Sequence, residues 1–310
     1  MKVEEELARF SPGEDTLLAV GVFDGVHLGH KYLLSQLVAQ TKQQNLLSGV
    51  VTFRQHPQEL LTPQTKLTFL TDLIERSNLL QNEGVKAIIP LSFTTELAQI
   101  SARQFVSLLQ KHLRMRGLVV GPDFALGRNR EGDINALRRL GQSMNFSVNV
   151  IPPVMINSEV VSSTVIRKAL ADGDMEKVCK LSGRPFSLRG HVVTGAGRGV
   201  ELGFPTANLD IHPEQALPPD GVYASRARIN GTVYQSMTNI GQCPTFGSCE
   251  RTVEVYVVNY QGDLYGRELQ VGIIGRLRAE KRFGSTEELK EQIAEDVKQG
   301  KTVLESMDRE

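Results

Sequence analysis

Residues 21–30 (Gly-Val-Phe-Asp-Gly-Val-His-Leu-Gly-His) join a short apolar run to a helix-like pattern, and this junction strongly constrains the fold. The run before it, residues 16–22, is typical of a strand buried on both faces of a parallel sheet. Residues 30–41 then carry leucine and valine side chains at helical spacing. A buried strand that passes directly into a helix predicts a βα unit of a parallel sheet.

The junction also has the composition of a phosphate-binding turn. Gly21, Gly25 and Gly29 allow tight backbone geometry and the close approach of a ligand. The first turn of the following helix offers free backbone N–H groups and the positive end of the helix dipole. Together these features predict that the oxygens of a phosphate group bind at this turn.

His27 and His30 lie three residues apart in this turn, and three kinds of site would use such a pair. A zinc site needs a third and a fourth ligand, and no compelling candidate stands nearby in the sequence. A general base needs an identified substrate. Hydrogen-bond donation to a triphosphate needs only the turn and helix already predicted. The pattern favours this third site, and ordinary histidines at a helix start remain the alternative.

Strand-like and helix-like segments alternate through the rest of the first half. The predicted strands are residues 46–53, 85–91, 117–121 and 146–151, and the predicted helices are residues 67–82, 102–113 and 133–144. This alternation predicts an α/β domain with a doubly wound parallel sheet. In such sheets, ligands bind beyond the carboxyl ends of the strands.

Polar side chains follow several of these strands. His56 comes after the second strand, and Asp123 comes after the fourth. After the fifth strand, Ser163 and Thr164 open a helix that contains Arg167. Hydroxyl groups at a helix start suit a bound phosphate, but serine and threonine are also common as helix caps. The spacing alone leaves both interpretations open.

Past residue 180 the pattern changes to short alternating segments separated by glycine and proline. The predicted strands are residues 188–194, 222–229, 232–240, 252–259 and 268–277. They predict a small antiparallel β-barrel, which a helix at residues 285–305 closes. Residues 172–184 are interpreted as the end of a helical segment and a connection. We therefore expect an α/β domain at residues 1–182 and a barrel domain at residues 183–310.

Residues 195–208 (Gly-Ala-Gly-Arg-Gly-Val-Glu-Leu-Gly-Phe-Pro-Thr-Ala-Asn) are the most unusual segment of the second half. Val200 stands where the dinucleotide-binding fingerprint requires its third glycine, and the segment is not a Walker A loop. Glycine loops nevertheless cover phosphates in kinases that have no Walker sequence. The candidate phosphate-binding glycines are Gly195, Gly197 and Gly203.

Two residues at the end of this segment suit a metal–nucleotide complex. Thr206 and Asn208 supply hard oxygen donors, which Mg²⁺ prefers. The alternative is a long hairpin loop with a turn at Pro205. Glu254 lies in an alternating strand, where its carboxylate could accept a proton from an attacking hydroxyl group. Taken by itself, such a glutamate more commonly marks the solvent-facing side of a strand.

The composition limits the classes of partner. The chain has 310 residues with 35 basic and 35 acidic side chains, so its formal net charge of zero indicates neither a nucleic-acid nor a membrane partner. Residues 1–10 lack the apolar core of a signal peptide, and no apolar run reaches the length of about 18 residues that indicates a membrane span. We therefore expect a cytoplasmic protein. The cysteines Cys179, Cys243 and Cys249 are interpreted as ordinary thiols.

Five motifs follow one another along the chain. They are Gly21-x-Phe23-Asp24-Gly25-Val26-His27-x-Gly29-His30, Val161-Ser162-Ser163-Thr164-x-x-Arg167, Leu202-Gly203-Phe204-Pro205-Thr206-Ala207-Asn208, Asn239-Ile240-Gly241-x-x-Pro244-Thr245-Phe246 and Asp263-Leu264-Tyr265-Gly266. On these motifs the whole chain resembles the prokaryotic bifunctional riboflavin kinase and FMN adenylyltransferase family, also called FAD synthetases. The resemblance implies a nucleotidyltransferase-type α/β domain followed by a riboflavin kinase barrel.

The resemblance assigns the first domain the transfer of AMP from ATP to FMN with release of pyrophosphate. The implied ATP-binding residues are Gly21, Phe23, Gly25, His27, Gly29, His30, Ser163, Thr164 and Arg167. His56 and Asp123 are implied to line the same crevice as candidate flavin-binding residues. The FMN phosphate is itself the nucleophile, so this chemistry depends on positioning and charge stabilisation and needs no protein base.

The resemblance assigns the second domain the phosphorylation of the riboflavin 5′-hydroxyl group. Thr206 and Asn208 match the family's Mg-ATP residues, and Glu254 matches its catalytic base. Residues 278–283 resemble the loop that closes over the flavin. The implied flavin-binding residues of this loop are Arg278, Glu280 and Phe283. The implied small molecules are riboflavin, FMN, FAD and ATP with Mg²⁺, and no nucleic acid or membrane is implied.

Four positions depart from the family pattern. Arg54 and Gln55 stand where an acidic residue and a proline are common, Ala125 where an arginine is common, and Tyr256 where a histidine is frequent. These differences bear on flavin affinity more than on reaction type, because the phosphate-handling residues are present. An enzyme with one of the two activities and a flavin-binding module without turnover remain alternatives. RNA binding through the barrel has only fold analogy behind it.

Overall fold

The computed structural model describes residues 3–61, 68–195, 197–242 and 251–307. Cys243, Cys249 and the Pro244-Thr245-Phe246 part of one motif lie outside the described residues. The chain divides into two compact units, Met1–Ser163 and Thr164–Glu310. The domain boundary expected between residues 182 and 183 remains a prediction.

A five-stranded sheet forms the centre of the first unit. Its strands are β1 (Thr16–Val20), β2 (Leu47–Phe53), β3 (Ala87–Leu91), β4 (Met115–Val120) and β5 (Ser147–Val150). Their order is β3-β2-β1-β4-β5, and every pairing is parallel. The order reverses direction between β1 and β4, where doubly wound sheets bind their ligands. The predicted parallel sheet is confirmed.

The helices of the first unit cover both faces of this sheet. They are α1 (Val3–Ala8), α2 (Leu28–Gln44), α3 (Pro57–Leu61), α4 (Leu73–Asn82), α5 (Thr95–Gln99), α6 (Ala102–Leu113) and α7 (Ile134–Met144). The next helix, α8 (Ser163–Asp172), begins at the last residue of the first unit and otherwise belongs to the second unit. Successive residues of β1 show why two layers are needed. Leu17 and Ala19 belong to one apolar core, and Leu18 and Val20 belong to the other.

Local signals set several helix ends in this unit. Ser101 and Gln104 form a capping box at the start of α6. The Asp72 and Asp133 side chains cap α4 and α7. The predicted helix at residues 67–82 is shorter in the structure because Asp72 caps its first turn. Leu126 pairs with Gly132 across the loop after β4. A short antiparallel hairpin, formed by β6 (Met155–Ile156) and β7 (Glu159–Val160), precedes α8.

The second unit is a closed antiparallel barrel, as predicted. Its strands are β8 (Phe186–Val193), β9 (Thr206–Ile211), β10 (Gly221–Ile229), β11 (Thr232–Gln242), β12 (Arg251–Val257) and β13 (Glu268–Ala279), in the order β10-β11-β12-β9-β8-β13. Apolar side chains fill the interior, among them the buried residues Leu188, Leu209, Ala227, Val255 and Val271. The interior is therefore a packed core, and a ligand has to bind on the outer side of the barrel.

Three further helices belong to the second unit: α9 (Met175–Ser182), α10 (Arg198–Leu202) and α11 (Thr286–Met307). The interpretation of residues 172–184 as a connection is corrected by α9, which the Asp174 side chain caps. The long C-terminal helix α11 packs on the outer face of the barrel, where Leu304 joins a core with Ala224, Met237 and Ile274. In the described part of the chain, no helix is both long and apolar enough to cross a membrane.

Candidate active sites

The turn between β1 and α2 holds both histidines in the first turn of the helix. His27 is the N-cap of α2, and its Nδ1 atom accepts a hydrogen bond from the His30 backbone N–H at 3.3 Å. An Nδ1 atom that accepts leaves the proton of neutral His27 on Nε2. The two rings are stacked, with centroids 3.7 Å apart and planes inclined by 18°. The structure therefore brings together the two side chains that the sequence singled out.

His30 has the more unusual environment of the two. Its Nδ1 atom is buried and has no hydrogen-bond partner among the described residues. Burial lowers the pKa of His30 well below its ordinary value of 6.5, and the charges of His27 and Arg76 lower it further. His30 is thus neutral at pH 7, with one ring N–H available as a donor. A buried nitrogen without a partner, at a helix start, suits a site that a ligand completes.

Side chains fix the backbone of this turn from several directions. The Asp24 carboxylate is 2% exposed and accepts hydrogen bonds from the backbone N–H groups of Leu70 and Thr71, at 3.0 and 3.1 Å. The Thr71 hydroxyl in turn accepts from Gly25 N–H at 3.0 Å. Gly25 has a φ of +78°, and a Cβ atom there would press on Leu70. Asp24 therefore holds the turn and does not face a phosphate.

Other predicted members of this site support the histidines. Phe23 is buried in the core, and its ring lies 5.0 Å from that of His30. A Cβ atom at Gly29 would lie 3.1 Å from the His27 ring, so a larger residue would push the ring away. The N–H of Gly21 donates to the Val51 carbonyl and so anchors the start of the turn. The predicted contacts of Gly21, Phe23, Gly25 and Gly29 with ATP remain predictions.

Ser163 lies at this turn, whereas the predicted flavin contacts lie at other strand ends of the same sheet. The Ser163 hydroxyl donates to the Asp24 backbone carbonyl at 2.9 Å, which ties the start of α8 to the turn. His56 is half-buried after β2, and its Nδ1 atom accepts from Gln58 N–H at 3.2 Å. Asp123 is exposed after β4, and Arg130 donates to its backbone carbonyl. These positions follow from the parallel order of the sheet.

The remaining residues of the serine motif lie in the second unit. Thr164 is exposed and Arg167 is half-buried, one turn along α8. Residues three or four positions apart lie on the same side of a helix, so Arg167 follows Ser163 along one face. That Ser163, Thr164 and Arg167 act on the ATP phosphates remains a prediction.

In the barrel unit, the glycine segment contains regular structure that the sequence did not reveal. Helix α10 spans Arg198–Leu202 between Gly197 and Gly203, which have φ angles of +73° and +83°. Strand β9 then begins at Thr206 and pairs antiparallel with β8, so the segment is the long connection of a hairpin, as the alternative expects, and it contains a short helix. Thr206 and Asn208 therefore lie on a strand of the barrel wall.

The strand register places the predicted kinase residues side by side. Glu254 is the cross-strand partner of Asn208 on one side and of Asn239 on the other. Tyr256 is the partner of Thr206 in the next row of the same face. Side chains of directly opposed residues lie about 5 Å apart at their Cβ atoms. All five side chains line one cavity of about 390 Å³ on the outer face of the barrel.

Gly195 lets the start of the glycine segment approach this face. A Cβ atom at position 195 would overlap the side-chain amide of Asn208, so a larger residue would have to displace this amide. The structure thus packs the segment directly against one of the two predicted metal ligands. Across the cavity, Phe204 stacks edge-on against Tyr256 with centroids 5.4 Å apart. This aromatic pair therefore lies beside the oxygen donor Thr206, the cross-strand partner of Tyr256.

The opposite wall comes from the end of β13 and from α11. Arg278 donates two parallel hydrogen bonds to Asp296, from Nε at 2.9 Å and from Nη2 at 2.7 Å. Asp296 is 3% exposed, so this ion pair fixes the loop on α11. The Arg278 guanidinium carbon also lies 5.7 Å from the centre of the Phe283 ring. The Arg278 side chain is therefore engaged within the protein, and its predicted contact with flavin remains a prediction.

Glu280 and the apolar residues of α11 complete this wall. The Glu280 carboxylate lies against Gly241, where a Cβ atom would approach its oxygen to 2.6 Å. Leu289, Ile293 and Val297 contribute the apolar surface of α11. A wall with one apolar side and convergent polar groups is typical of a small-molecule site. The sequence named Asn239 only as part of a motif, with no role, and did not single out Asp296, because their positions depend on strand register and on how α11 docks.

The described residues contain no group of three or more histidine, cysteine, aspartate or glutamate side chains that could hold a metal ion. The hard oxygens that line the barrel cavity include those of Thr206, Asn208 and Glu254. Cys179, the one cysteine in the described ranges, is half-buried and free. Burial raises the pKa of its thiol.

Two family models match the chain, one for each unit. The FAD synthetase model matches residues 11–165, and the riboflavin kinase model matches residues 182–304. A bifunctional riboflavin kinase/FMN adenylyltransferase of Escherichia coli K12 is 37% identical over 288 residues, which are 92% of each chain. The chain belongs to the bifunctional riboflavin kinase/FMN adenylyltransferase family.

Other members of this family show similar agreement. The bifunctional riboflavin kinase/FMN adenylyltransferase of Listeria monocytogenes is 32% identical and covers 90% of both chains. That of Pseudomonas fluorescens is 37% identical over 90% of this chain and 89% of its own. A crystal structure titled a macrolide-efflux protein from Streptococcus pneumoniae has a TM-score of 0.87, is 30% identical and covers 96% of each chain. This solved structure therefore shares the fold of the chain over 96% of its length.

Proposed function

We propose that the chain makes FMN from riboflavin in the barrel and then FAD from FMN in the α/β unit, consuming one ATP in each reaction. The observation that carries this proposal is that each unit has its own constellation of polar residues. The α/β unit has a glycine-rich turn with a stacked histidine pair at the start of a helix. The barrel has a glutamate aligned between two asparagines in a cavity of about 390 Å³.

In the kinase reaction, Glu254 is the general base. The riboflavin 5′-hydroxyl group binds beside its carboxylate and loses its proton to it as the γ-phosphorus of ATP is attacked. The proposal is supported by the position of Glu254 in the cavity, directly opposite Asn208. Arg278, Glu280 and Phe283 are proposed to contact the flavin from the other wall.

Thr206 and Asn208 are proposed to hold Mg²⁺ together with ATP. Both residues supply hard oxygens to the face that also carries Glu254, and this donor set suits Mg²⁺. The bound ion would neutralise charge on the β- and γ-phosphates. Gly195, Gly197 and Gly203 are proposed to bring the glycine segment over these phosphates. The close packing of Gly195 on Asn208 supports this arrangement.

In the adenylyl transfer, an oxygen of the FMN phosphate attacks the α-phosphorus of ATP and pyrophosphate leaves. His27 and His30 donate hydrogen bonds from their ring N–H groups to the phosphate oxygens, and the first backbone N–H groups of α2 donate to the same oxygens. Ser163, Thr164 and Arg167 are proposed to neutralise the departing pyrophosphate. His56 and Asp123 are proposed to contact FMN at neighbouring strand ends. No group of the protein needs to remove a proton, because the nucleophile is already an anion.

The substrates are water-soluble small molecules, which fits a chain whose formal net charge is zero. We therefore propose that the protein works in the cytoplasm on riboflavin, FMN and ATP without a nucleic-acid partner. We also propose that residues 1–182 form the adenylyltransferase domain and residues 183–310 the kinase domain. The matched family segments, which end at residue 165 and begin at residue 182, are compatible with these boundaries.

Product analysis with each flavin supplied separately tests the proposal. With riboflavin, ATP and Mg²⁺, we expect ADP to appear in equal amount to the riboflavin consumed. With FMN, ATP and Mg²⁺, we expect FAD and pyrophosphate in equal amounts, and chelation of Mg²⁺ should stop both reactions. Formation of FMN without FAD would show an enzyme with the kinase activity alone. Tight flavin binding without consumption of ATP would show a binding module.

A further inference from the structure

Arg76 is a fully buried cation in the first unit. It lies on α4, is 1% exposed and is among the largest buried side chains of the protein. Burial lowers its pKa, while the charges of Asp24 and Asp72 oppose this effect. An arginine stays protonated even so. Taking a charged group out of water is costly, so a buried guanidinium needs a compensating role.

Two contacts hold this guanidinium behind the phosphate-binding turn. Its Nη1 group donates to the Val22 backbone carbonyl at 2.8 Å, and its Cζ atom lies 5.2 Å from the centre of the Phe69 ring. Val22 directly precedes Phe23, where the turn takes a φ of +54°. The Thr52 hydroxyl also donates to the Val22 carbonyl at 2.8 Å. That carbonyl is therefore held without Arg76, by a neutral donor.

The hydrogen-bonding capacity of Arg76 is not exhausted by its neighbours. Its buried Nε atom has no hydrogen-bond partner among the described residues. The Asp24 carboxylate is already engaged by the backbone N–H groups of Leu70 and Thr71. The positive potential of Arg76 also reaches the histidine pair, because it contributes to the lowered pKa of His30. A positive potential that disfavours a second cation at the histidine pair favours an anion there, because the electrostatic energy changes sign with the charge.

We propose that Arg76 supplies a permanent buried positive charge behind the phosphate-binding turn and that this charge strengthens the binding of the ATP phosphates for adenylyl transfer. The inference rests on the adenylyl-transfer function proposed for this turn. Arg76 acts through its field and through the position of Val22, and it does not touch the reacting atoms. Its charge acts through the protein interior, where screening by salt is weak.

Two substitutions separate the charge from the hydrogen bond. Arg76→Gln keeps a donor for the Val22 carbonyl and removes the charge, and Arg76→Lys keeps the charge on a differently shaped side chain. We expect R76Q to raise the KM for ATP in FAD formation by about tenfold or more, and R76K to raise it less than about threefold. The KM for ATP in riboflavin phosphorylation by the same proteins should not change, which reports that the barrel site is intact.

Thr52→Val is the matched control, since it removes the neutral bond to the same carbonyl and leaves Arg76 in place. It should leave the KM for ATP within about twofold of the wild-type value. Equal KM values in R76Q and wild type, or equal increases in R76Q and R76K, would overturn the inference. If R76Q does not fold, the other two variants decide. A tenfold increase in the KM for ATP of folded R76K or T52V would overturn the inference, and KM values near wild type in both would support it. Failure of the wild-type protein to make FAD would refute the proposed function instead.

Discussion

The Glu254→Gln variant is expected to lose riboflavin phosphorylation by a factor of about 10² to 10⁴, the usual contribution of a general base. Glutamine has the shape of glutamate but cannot take up the proton of the 5′-hydroxyl group. Glu254 lies between its cross-strand partners Asn208 and Asn239, and the substitution leaves the volume of its side chain nearly unchanged. The loss should therefore appear in kcat more than in KM, and conversion of FMN to FAD should continue at the wild-type rate.

Chromatography of the flavins after incubation with ATP measures both activities in one experiment. The matched control is Glu305→Gln, which makes the same chemical change at an exposed position of α11. This control should keep both activities. If Glu254→Gln phosphorylated riboflavin within about threefold of the wild-type rate, Glu254 would not be the base. Loss of both activities together in a folded protein would contradict the assignment of two separate sites.

The His30→Ala variant is expected to lower FAD formation from FMN by a factor of about 10² to 10³, the usual effect of removing one donor that stabilises a developing charge. His30 is stacked on His27 and has a buried ring nitrogen without a partner among the described residues. Alanine removes a donor and also the ring that supports His27. Riboflavin phosphorylation should stay within about twofold of wild type, because the barrel does not use this turn.

His112→Ala is the matched control for this change. His112 lies on α6 in the same unit and is far from the turn in the sequence. Its ring forms a hydrogen bond with Glu4. It should keep FAD formation near the wild-type rate. FAD formation at the normal rate in His30→Ala would contradict the role proposed for the histidine pair. A fall in thermal stability in both variants alike would point to packing as the cause of any common loss.

Much of the fold was predictable because local and tertiary signals agree. The predicted helix at residues 102–113 has the bounds of α6, since the capping box at Ser101 and apolar residues at helical spacing point to the same element. The strand before the phosphate-binding turn was predictable because β1 is buried on both faces and so is apolar throughout. The turn itself was recognisable from its glycines and histidines.

The barrel site was less predictable, because its geometry depends on strand pairing. Strand β9 is short and follows Pro205 and several glycines, which hide its alternation in the sequence. That Asn208 lies opposite Glu254 follows from the register of β9 with β12, which barrel closure sets. For the same reason, the sequence favoured the interpretation of Glu254 as an ordinary solvent-facing residue. Its place in a cavity depends on the strand pairing of the folded barrel.

Arg76 illustrates a second limit of sequence reading. An arginine in a helix pattern normally faces solvent, and nothing in residues 73–82 distinguishes it. It is buried because the turn after β1 and the loop before α4 enclose it. The engagement of Ser163 by the Asp24 carbonyl is equally invisible in the sequence, where a cap and a phosphate contact look alike.

Mixing the two inactive variants tests the central claim, that one chain carries two independent active sites. Full-length Glu254→Gln and His30→Ala proteins are each incubated with riboflavin, ATP and Mg²⁺, alone and together, and the flavins are separated by chromatography. Alone, the first should form neither FMN nor FAD, and the second should accumulate FMN. Together they should form FAD, because FMN released by one protein is adenylylated by the other. A mixture that accumulates FMN without FAD, while Glu254→Gln alone still converts added FMN, would contradict independent sites.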